Sequence, residues 1–254
     1  IKEGEKLTLQ DLLYGLMLRS GNDAALAIAN NVSKNTESFV KKMNEKAQEL
    51  DMKNSLFRNP HGLDQEDGGN ISTAYDMAKL TSYAMKNKNF KKIVATEKYT
   101  LKTNKNTYVW HNKNKLLYRY KYTTGGKTGF TKIARRTLVT TASKNNLNLV
   151  VVTLNDGNDF TDHENLFEYA FNNYTNYKIL SKGFIKIKKE NYYKKHKLYI
   201  KNDYSYPLSI DEKDSIRIKY QLKKIRKLKN NSKVGTAKIY FGDKLVHEEN
   251  IYLK

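Results

Sequence analysis

The sequence predicts an α+β protein, in which helices and an antiparallel sheet form a large first domain and a small all-β domain follows. Two observations carry this prediction. Up to about residue 178, apolar residues recur at helical spacing between short loops, with strand candidates between the helices. Beyond that point, apolar residues alternate with lysine and other polar residues, which is typical of half-exposed strands. We therefore predict two domains, residues 1–178 and residues 179–254.

Helix signals recur through the first domain. Thr8-x-x-Asp11 and Thr73-x-x-Asp76 each have the form of a capping box, in which the threonine side chain caps the helix that follows it. Apolar periodicity then marks helices in TLQDLLYGLMLRS, NDAALAIANNV, TESFVKKMNEKAQEL, AYDMAKLTSYAMKN and HENLFEYAFNNY. Strands are predicted near residues 107–110, 118–123, 136–142 and 147–154. Helices and strands mixed in this order favour an antiparallel sheet.

The second domain is strongly basic. It holds 20 basic and 8 acidic residues, which is +12 of the chain's net charge of +21. Such a charge attracts polyanions, among them nucleic acid, anionic lipid and acidic cell-wall polymers. A drift towards AT-rich codons would produce the same excess of lysine, asparagine and tyrosine. We therefore predict no specific nucleic-acid binding, keep anionic wall polymers or a membrane surface as open partners, and expect the tyrosines of these strands to serve packing rather than carbohydrate stacking.

Composition excludes several kinds of chemistry. The chain has no cysteine, so disulfides, thiolate metal sites and cysteine nucleophiles are excluded. Its five histidines show neither H-E-x-x-H nor another paired spacing, and we predict no metal site and no cofactor. No stretch approaches the ~18 consecutive apolar residues of a membrane span. The chain opens on Ile1 rather than on methionine, and we therefore expect a fragment or a processed product.

The stretch TTGGKTGFT, residues 123–131, could be the end of a phosphate-binding loop. That loop reads G-x-x-x-x-G-K-[ST] and needs a glycine five places before Gly126, where the chain has Lys121. The residues that follow are rich in threonine, valine and leucine and predict a strand, whereas a phosphate loop leads into a helix. The stretch therefore does not indicate nucleotide binding.

A different pair of motifs accounts for this stretch. Ser20-Gly21-Asn22 lies between the first two predicted helices, and Lys127-Thr128-Gly129 follows 107 residues later. β-Lactamases and penicillin-binding proteins combine S-x-x-K, S-x-N and K-T-G motifs for serine acylation. A lysine-activated serine attacks an amide carbonyl, a Ser/Asn pair handles the proton and holds the substrate amide, and the K-T-G strand receives the substrate. Either tripeptide alone is weak evidence, and Ser20-Gly21-Asn22 alone would favour a simple turn between helices.

Longer stretches agree with the two motifs. EGEKLTLQDLLYGLMLRSGNDAALAIA, FVKKMNEKAQELDMKNSLFRNPHGLD, STAYDMAKL, HNKNKLL and GGKTGFTKIARRTLV together resemble the D-alanyl-D-alanine carboxypeptidases, the low-molecular-mass penicillin-binding proteins. The resemblance covers about residues 1–178, and the basic tail is similar to that family's C-terminal domain. It implies a β-lactamase/transpeptidase-like fold, and it implies removal of the terminal D-alanine from peptidoglycan stem peptides through an acyl-serine intermediate. It also implies inhibition by β-lactam antibiotics, no cofactor, and a location outside the cytoplasmic membrane, at its outer face or in the cell wall.

The resemblance also assigns roles to residues. Ser20 would relay a proton to the departing D-alanine, and Asn22 would hold the substrate amide. Lys127 would supply positive charge near Ser20, and Thr128 would bind the terminal carboxylate. Gly129 would leave room for the substrate, and the next residue in the strand, Phe130, would contribute its backbone N–H to the oxyanion hole.

The family's S-x-x-K motif precedes S-x-N by several tens of residues, but only nineteen residues precede Ser20 here. The one S-x-x-K in the chain, Ser38 to Lys41, follows S-x-N on a predicted structural helix. We therefore expect the chain as given to lack the nucleophile and to be incompetent for acylation. Two alternatives stay open. The chain could be an inactive relative that binds wall peptides, or it could be a β-lactamase. The two-domain length and the stretch NPHGLD argue against a β-lactamase.

Four smaller departures from the family's pattern stand out. Asp51 and Arg135 occupy places where the family commonly has glycine, and Gly126 replaces a branched residue before K-T-G. Asn70 takes the place of a frequent histidine. We expect Gly126 to loosen the start of its strand and Asp51 to form a left-handed helix cap at modest cost.

Overall fold

The computed structural model describes residues 1–66, 68–188, 190–225 and 229–254. It divides into two compact units, one of residues 1–144 and 148–169 and the other of residues 145–147 and 170–254. The class is α+β with a C-terminal all-β domain, as the sequence predicts, whereas the predicted domain boundary at residue 178 stays a prediction. None of the described helices combines the length and the apolar character that a membrane crossing needs.

Helices dominate the first half of the chain. The described residues form α1 Leu9–Arg19, α2 Asn22–Val32, α3 Thr36–Glu49, α4 Ala74–Ala84, α5 Lys88–Val94, α6 Leu116–Arg119 and α7 Asp159–Asn173. The predicted capping box of α1 is present, because Thr8 Oγ1 accepts from the N–H of Asp11 at 3.1 Å and Asp11 Oδ2 accepts from the N–H of Thr8 at 2.9 Å. The sequence analysis missed α5, whose cap is Asn87.

The described residues between 98 and 154 also form five strands: β1 Lys98–Lys102, β2 Thr107–His111, β3 Thr123–Thr131, β4 Arg135–Lys144 and β5 Leu147–Leu154. β1 and β2 form an antiparallel pair, and the other three form an antiparallel sheet in the order β3-β4-β5. The predicted strand at 118–123 is wrong, because Tyr118 and Arg119 belong to α6. The buried Leu116 anchors that short helix, and its N–H donates to Asn114 Oδ1 at 3.2 Å.

α1 is held against β2 by close packing around one glycine. A Cβ at Gly15 would lie 3.1 Å from the Trp110 ring, so a larger residue would push the two elements apart. Tyr14, Leu18 and Ile93 form a buried cluster beside this contact, and the Tyr99 ring stacks on Tyr14 with centroids 3.8 Å apart. This packing fixes where α1 ends, which is the position of the Ser20 turn.

The second unit contains a five-stranded sheet and a separate pair of strands. The strands of the unit, among the described residues, are β6 Thr175–Leu180, β7 Gly183–Ile185, β8 Leu198–Ile200, β9 Tyr204–Leu208, β10 Ile216–Leu222, β11 Lys233–Phe241 and β12 Lys244–Leu253. The sheet has the order β10-β11-β12-β8-β7, and β6 pairs with β9 in a separate ladder. Alternate side chains of the sheet, such as Ile200, Ile239 and Ile251, are buried in one apolar core. The period-two pattern read from the sequence corresponds to this half-buried sheet.

Candidate active site

Ser20 lies in a strained turn between α1 and α2. Its backbone is left-handed, with φ 61° and ψ 45°, a conformation that costs a non-glycine residue roughly 1–2 kcal/mol. The Ser20 N–H donates to the Leu16 carbonyl at 3.0 Å, and the Gly21 N–H donates to the Gly15 carbonyl at 3.2 Å. These bonds close the end of α1 and hold the Ser20 hydroxyl at a fixed place.

Lys127 reaches that hydroxyl from the middle of β3. Its Nζ donates to Ser20 Oγ at 2.5 Å and to the Thr128 carbonyl at 2.5 Å. The fold therefore brings together two predicted site residues that are 107 positions apart in the chain. The strand begins at Thr123, so that K-T-G lies in its middle and not at its start.

The ammonium of Lys127 is held in an unfavourable environment. Burial and, to a smaller extent, the nearby positive charge of Lys113 together lower the pKa of Lys127 from 10.5 to about 8. Among the described residues, no carboxylate pairs with Lys127 to offset this cost. A buried cation without an anionic partner, next to a hydroxyl, is suited to receive an anionic group of a ligand. The sequence analysis missed Lys113, because only the three-dimensional structure brings it near Lys127.

Asn22 begins α2, two residues after Ser20. Its side chain is exposed and makes no hydrogen bond to any described residue, so that its amide is available to a ligand. No hydrogen bond within the described part of the chain joins Asn22 to Ser20 or to Lys127. The structure thus places Asn22 beside the Ser20 turn and connects the two through the backbone alone.

The residues after Lys127 form the outer strand of the sheet. β3 pairs with β4, with Thr128 opposite Leu138, Gly129 opposite Thr137 and Phe130 opposite Arg136. Gly129 is exposed, and a Cβ there would lie 2.4 Å from Thr137 Oγ1. β3 is an edge of the order β3-β4-β5, and its residues Gly129 and Phe130 are exposed, so that this end of the strand could pair with an extended peptide.

Comparison with known proteins places the chain in a family. The sequence model described as D-alanyl-D-alanine carboxypeptidase matches residues 1–158. The chain belongs to the D-alanyl-D-alanine carboxypeptidase family. The model described as penicillin-binding protein 5, C-terminal domain, matches residues 174–254, so both parts of the chain are similar to parts of the low-molecular-mass penicillin-binding proteins.

Individual relatives agree with this membership. The D-alanyl-D-alanine carboxypeptidase DacF of Bacillus subtilis is 39% identical over 153 residues, which are 60% of this chain and 39% of the relative. DacD of Salmonella typhimurium is 27% identical over 258 residues, covering 97% of this chain and 64% of the relative. The crystal structure of penicillin binding protein 5 from Haemophilus influenzae matches with a TM-score of 0.74 and 26% identity, over 97% of this chain and 74% of that one. The chain thus spans less than two thirds of the length of these two sequence relatives.

The structure shows the surroundings of the four positions at which this carboxypeptidase family member departs from the family's usual residues. Asp51 and Arg135 both have left-handed backbones, with φ 54° and 59°, which explains why glycine suits these positions. Gly126 has φ 156°, and a Cβ there would lie 2.3 Å from the Val139 carbonyl, so that this backbone requires glycine. β3 is paired with β4 on both sides of Gly126. Asn70 orders a loop, because its Oδ1 accepts from the N–H groups of Arg58 and Asn59 at 2.8 and 3.1 Å.

The one S-x-x-K of the chain lies in the first turn of α3. The N–H of Ser38 donates to Oδ1 of Asn35, the cap of that helix, at 2.8 Å. Within the described residues, no hydrogen bond connects Ser38 or Lys41 with Ser20 or Lys127. Ser38 therefore lies beside a helix cap, and no hydrogen bond within the described residues joins its hydroxyl to a lysine.

Proposed function

We propose that the protein is a serine-type D-Ala-D-Ala carboxypeptidase that removes the terminal D-alanine from peptidoglycan stem peptides and is inhibited by β-lactams. The observation that carries the proposal is the contact between Lys127 and Ser20, which joins the K-T-G and S-x-N motifs of the family at 2.5 Å. The edge position of β3, with Gly129 and Phe130 exposed, supports the same function, because an edge strand can pair with a peptide in extended form.

The reaction would proceed in two steps. The hydroxyl oxygen of a nucleophilic serine adds to the carbonyl carbon of the last peptide bond, the C–N bond breaks, and the released amine of D-alanine takes up a proton. Water then cleaves the serine ester, which frees the shortened peptide and restores the hydroxyl. In this scheme Ser20 relays the proton to the leaving amine, because its hydroxyl is hydrogen-bonded to the ammonium of Lys127.

The substrate would be held by the residues around that contact. Lys127, which has no carboxylate partner among the described residues, and Thr128 would bind the terminal carboxylate, and the free amide of Asn22 would bind the peptide amide. Gly129 lets the peptide approach β3 closely. The backbone N–H of Phe130 would form half of the oxyanion hole, where the loss of one donor costs roughly 3–4 kcal/mol.

We further propose that the acylating serine is not among residues 1–254. The S-x-x-K at Ser38 follows S-x-N and begins a capped helix, and Ser20 contacts the lysine of K-T-G rather than that of an S-x-x-K motif. The chain 1–254 by itself would then bind substrate without forming an acyl-enzyme. Stem peptides and β-lactams are the partners of this proposal, and the outer face of the cytoplasmic membrane or the cell wall is the location.

Release of D-alanine from a peptide ending in D-Ala-D-Ala tests the proposal, with the protein as its gene encodes it. Ser20→Ala should lower kcat by about 100-fold or more, since positioned proton transfer contributes 10²–10⁴. Asn22→Ala should lower kcat/KM, because the substrate amide loses its hydrogen-bond partner. Ser38→Ala is the matched control and should keep full activity. Full activity of Ser20→Ala, or its loss in Ser38→Ala, would contradict the assignment. An inactive protein that still binds purified peptidoglycan would favour a relative that only binds the wall.

A further inference from the structure

Three aromatic side chains form a row across neighbouring strands of the C-terminal sheet. The strand register sets Phe184 of β7 opposite Tyr199 of β8, and Tyr199 opposite Tyr252 of β12. The Tyr199 and Tyr252 rings are in contact, with centroids 5.7 Å apart. The flanking residues of β8, Leu198 and Ile200, are buried in the core, so the three rings lie on the opposite face. Phe184 is 58% exposed on this face, so the packing of the domain does not account for a phenylalanine at this position.

Lysines surround this row. Lys201 Nζ lies 4.0 Å from the centroid of the Tyr252 ring, and the Nζ atoms of Lys197 and Lys254 both lie 5.2 Å from the centroid of the Phe184 ring. In the described part of the chain, none of these three lysines has a carboxylate partner. Two ammonium groups over one ring repel each other, and an anion bound between them would relieve that repulsion. We call Phe184, Tyr199 and Tyr252 with these three lysines the aromatic–lysine row.

The aromatic–lysine row also contains a cavity with a polar donor. The cavity has a volume of about 300 Å³ and is lined by Gly183, Phe184, Tyr199, Asn231 and Lys254. The hydroxyl of Tyr199 donates to Asn231 Oδ1, so the amide nitrogen of Asn231 stays available as a donor. An apolar ring face, an amide donor and unpaired ammonium groups therefore meet in one open site.

We propose that the aromatic–lysine row binds an anionic glycan. Pyranose rings present apolar C–H faces that pack on aromatic rings, their hydroxyls accept from an amide such as that of Asn231, and phosphate or carboxylate groups on the chain meet the lysines. An anionic membrane surface would also attract rings bordered by lysines, and the vesicle comparison below distinguishes it from a glycan. The inference goes beyond the proposed carboxypeptidase activity, and binding can be measured without turnover.

Co-sedimentation of the chain with purified bacterial cell walls tests the inference. Walls that carry a phosphate-containing polymer are compared with the same walls after hydrofluoric acid has removed it. Binding only to the untreated walls would identify the phosphate polymer, and equal binding would identify carboxylates of the peptidoglycan itself; either result supports the proposal. No binding to either preparation overturns it.

Paired variants separate a built site from net charge. Lys197→Gln with Lys254→Gln should weaken binding at least about tenfold, which is about 1.4 kcal/mol. The control, Lys213→Gln with Lys219→Gln, removes two exposed lysines that also lie over tyrosine rings in this domain, each at 5.2 Å, and should weaken binding less than about twofold. Equal losses in the two pairs would show that charge alone binds the wall, and would overturn the proposal.

Phe184→Ala tests the stacking component. The residue is exposed, so that its removal should leave the thermal unfolding midpoint unchanged while binding weakens about tenfold, which is near the lower end of what alanine substitution gives for a nucleobase stacked on one aromatic residue. Tyr192→Ala, at another exposed ring of the domain, should bind as the unmodified chain does. Unchanged binding by Phe184→Ala overturns the proposal, as does tighter binding to phosphatidylglycerol vesicles or to oligothymidylate than to the walls.

Discussion

Replacing Lys127 with methionine should make the protein more stable at neutral pH. Lys127 is largely buried, and its ammonium has hydrogen-bond acceptors in Ser20 and Thr128 but no carboxylate partner among the described residues. Methionine has a similar length and carries no charge, so Lys127→Met removes the cost of burying the cation while keeping the side-chain volume. A residue that destabilises the fold at the centre of a candidate active site is expected where function requires it.

The magnitude follows from the pKa of Lys127. Burial lowers it from 10.5 to about 8, and because each pKa unit corresponds to about 1.4 kcal/mol, the charged side chain costs roughly 3 kcal/mol at pH 7. With methionine, the Ser20 hydroxyl and the Thr128 carbonyl lose the Lys127 ammonium as a donor. Each loss costs about 1 kcal/mol or less where a water molecule can donate instead. We therefore expect Lys127→Met to raise the free energy of unfolding by roughly 1–2 kcal/mol at pH 7.

The pH dependence gives the sharper test. Between pH 8 and 10.5 the unfolded chain keeps the Lys127 proton and the folded chain loses it, so the unmodified protein gains stability relative to the variant as the pH rises. Urea unfolding of both proteins from pH 7 to pH 10.5 should show the variant's excess stability shrink and then reverse, a total change of roughly 3 kcal/mol. Lys219→Met controls for the loss of one positive charge. A difference that is independent of pH would refute the reasoning.

Three further predictions concern stability. Arg135→Gly should stabilise the chain by about 0.5–1 kcal/mol in urea unfolding, because Arg135 has φ 59°; Arg135→Ala keeps that backbone cost and should not stabilise. Gly129→Ala should destabilise the chain by about 1–3 kcal/mol, since its Cβ would lie 2.4 Å from Thr137 Oγ1. In a double-mutant cycle, adding Thr137→Ala should restore most of the lost stability, and purely additive effects would exclude this clash. Burial lowers the pKa of His163 from 6.5 to about 4, so unfolding measurements should show stability falling by roughly 2–3 kcal/mol as the pH drops from 6.5 to 4, and His163→Gln should remove that part of the slope.

The contact between Ser20 and Lys127 could be anticipated from the two motifs, while their roles in catalysis stay a prediction. Ser20 and Lys127 could be paired from the sequence because the two tripeptides carry their own chemistry, whatever the intervening chain does. The strand predicted at 118–123 failed because LYRYKY alternates tyrosine with polar residues as an exposed strand does. In the structure the buried Leu116 decides the local conformation, and the hydroxyl of Tyr118 donates to the Glu97 carbonyl at 2.7 Å from a helical turn.

Other features depend on tertiary structure and had no local signal. α5 is short and lysine-rich, and its cap, Asn87, precedes too few apolar residues to show a helical period. The effect of Lys113 on Lys127 requires the two to be neighbours in space. The aromatic–lysine row requires the register of three strands, whereas the sequence shows only that tyrosine and lysine alternate with apolar residues.

Labelling with a reporter penicillin, followed by peptide mass spectrometry, identifies the serine that is acylated. With the protein as its gene encodes it, we expect a covalent adduct on a serine of an S-x-x-K motif outside residues 1–254, and much slower labelling in Lys127→Ala. The chain 1–254 alone should carry no adduct. An adduct on Ser20 or on Ser38, or labelling that is unaffected by Lys127→Ala, would show that the proposed roles of these residues are wrong.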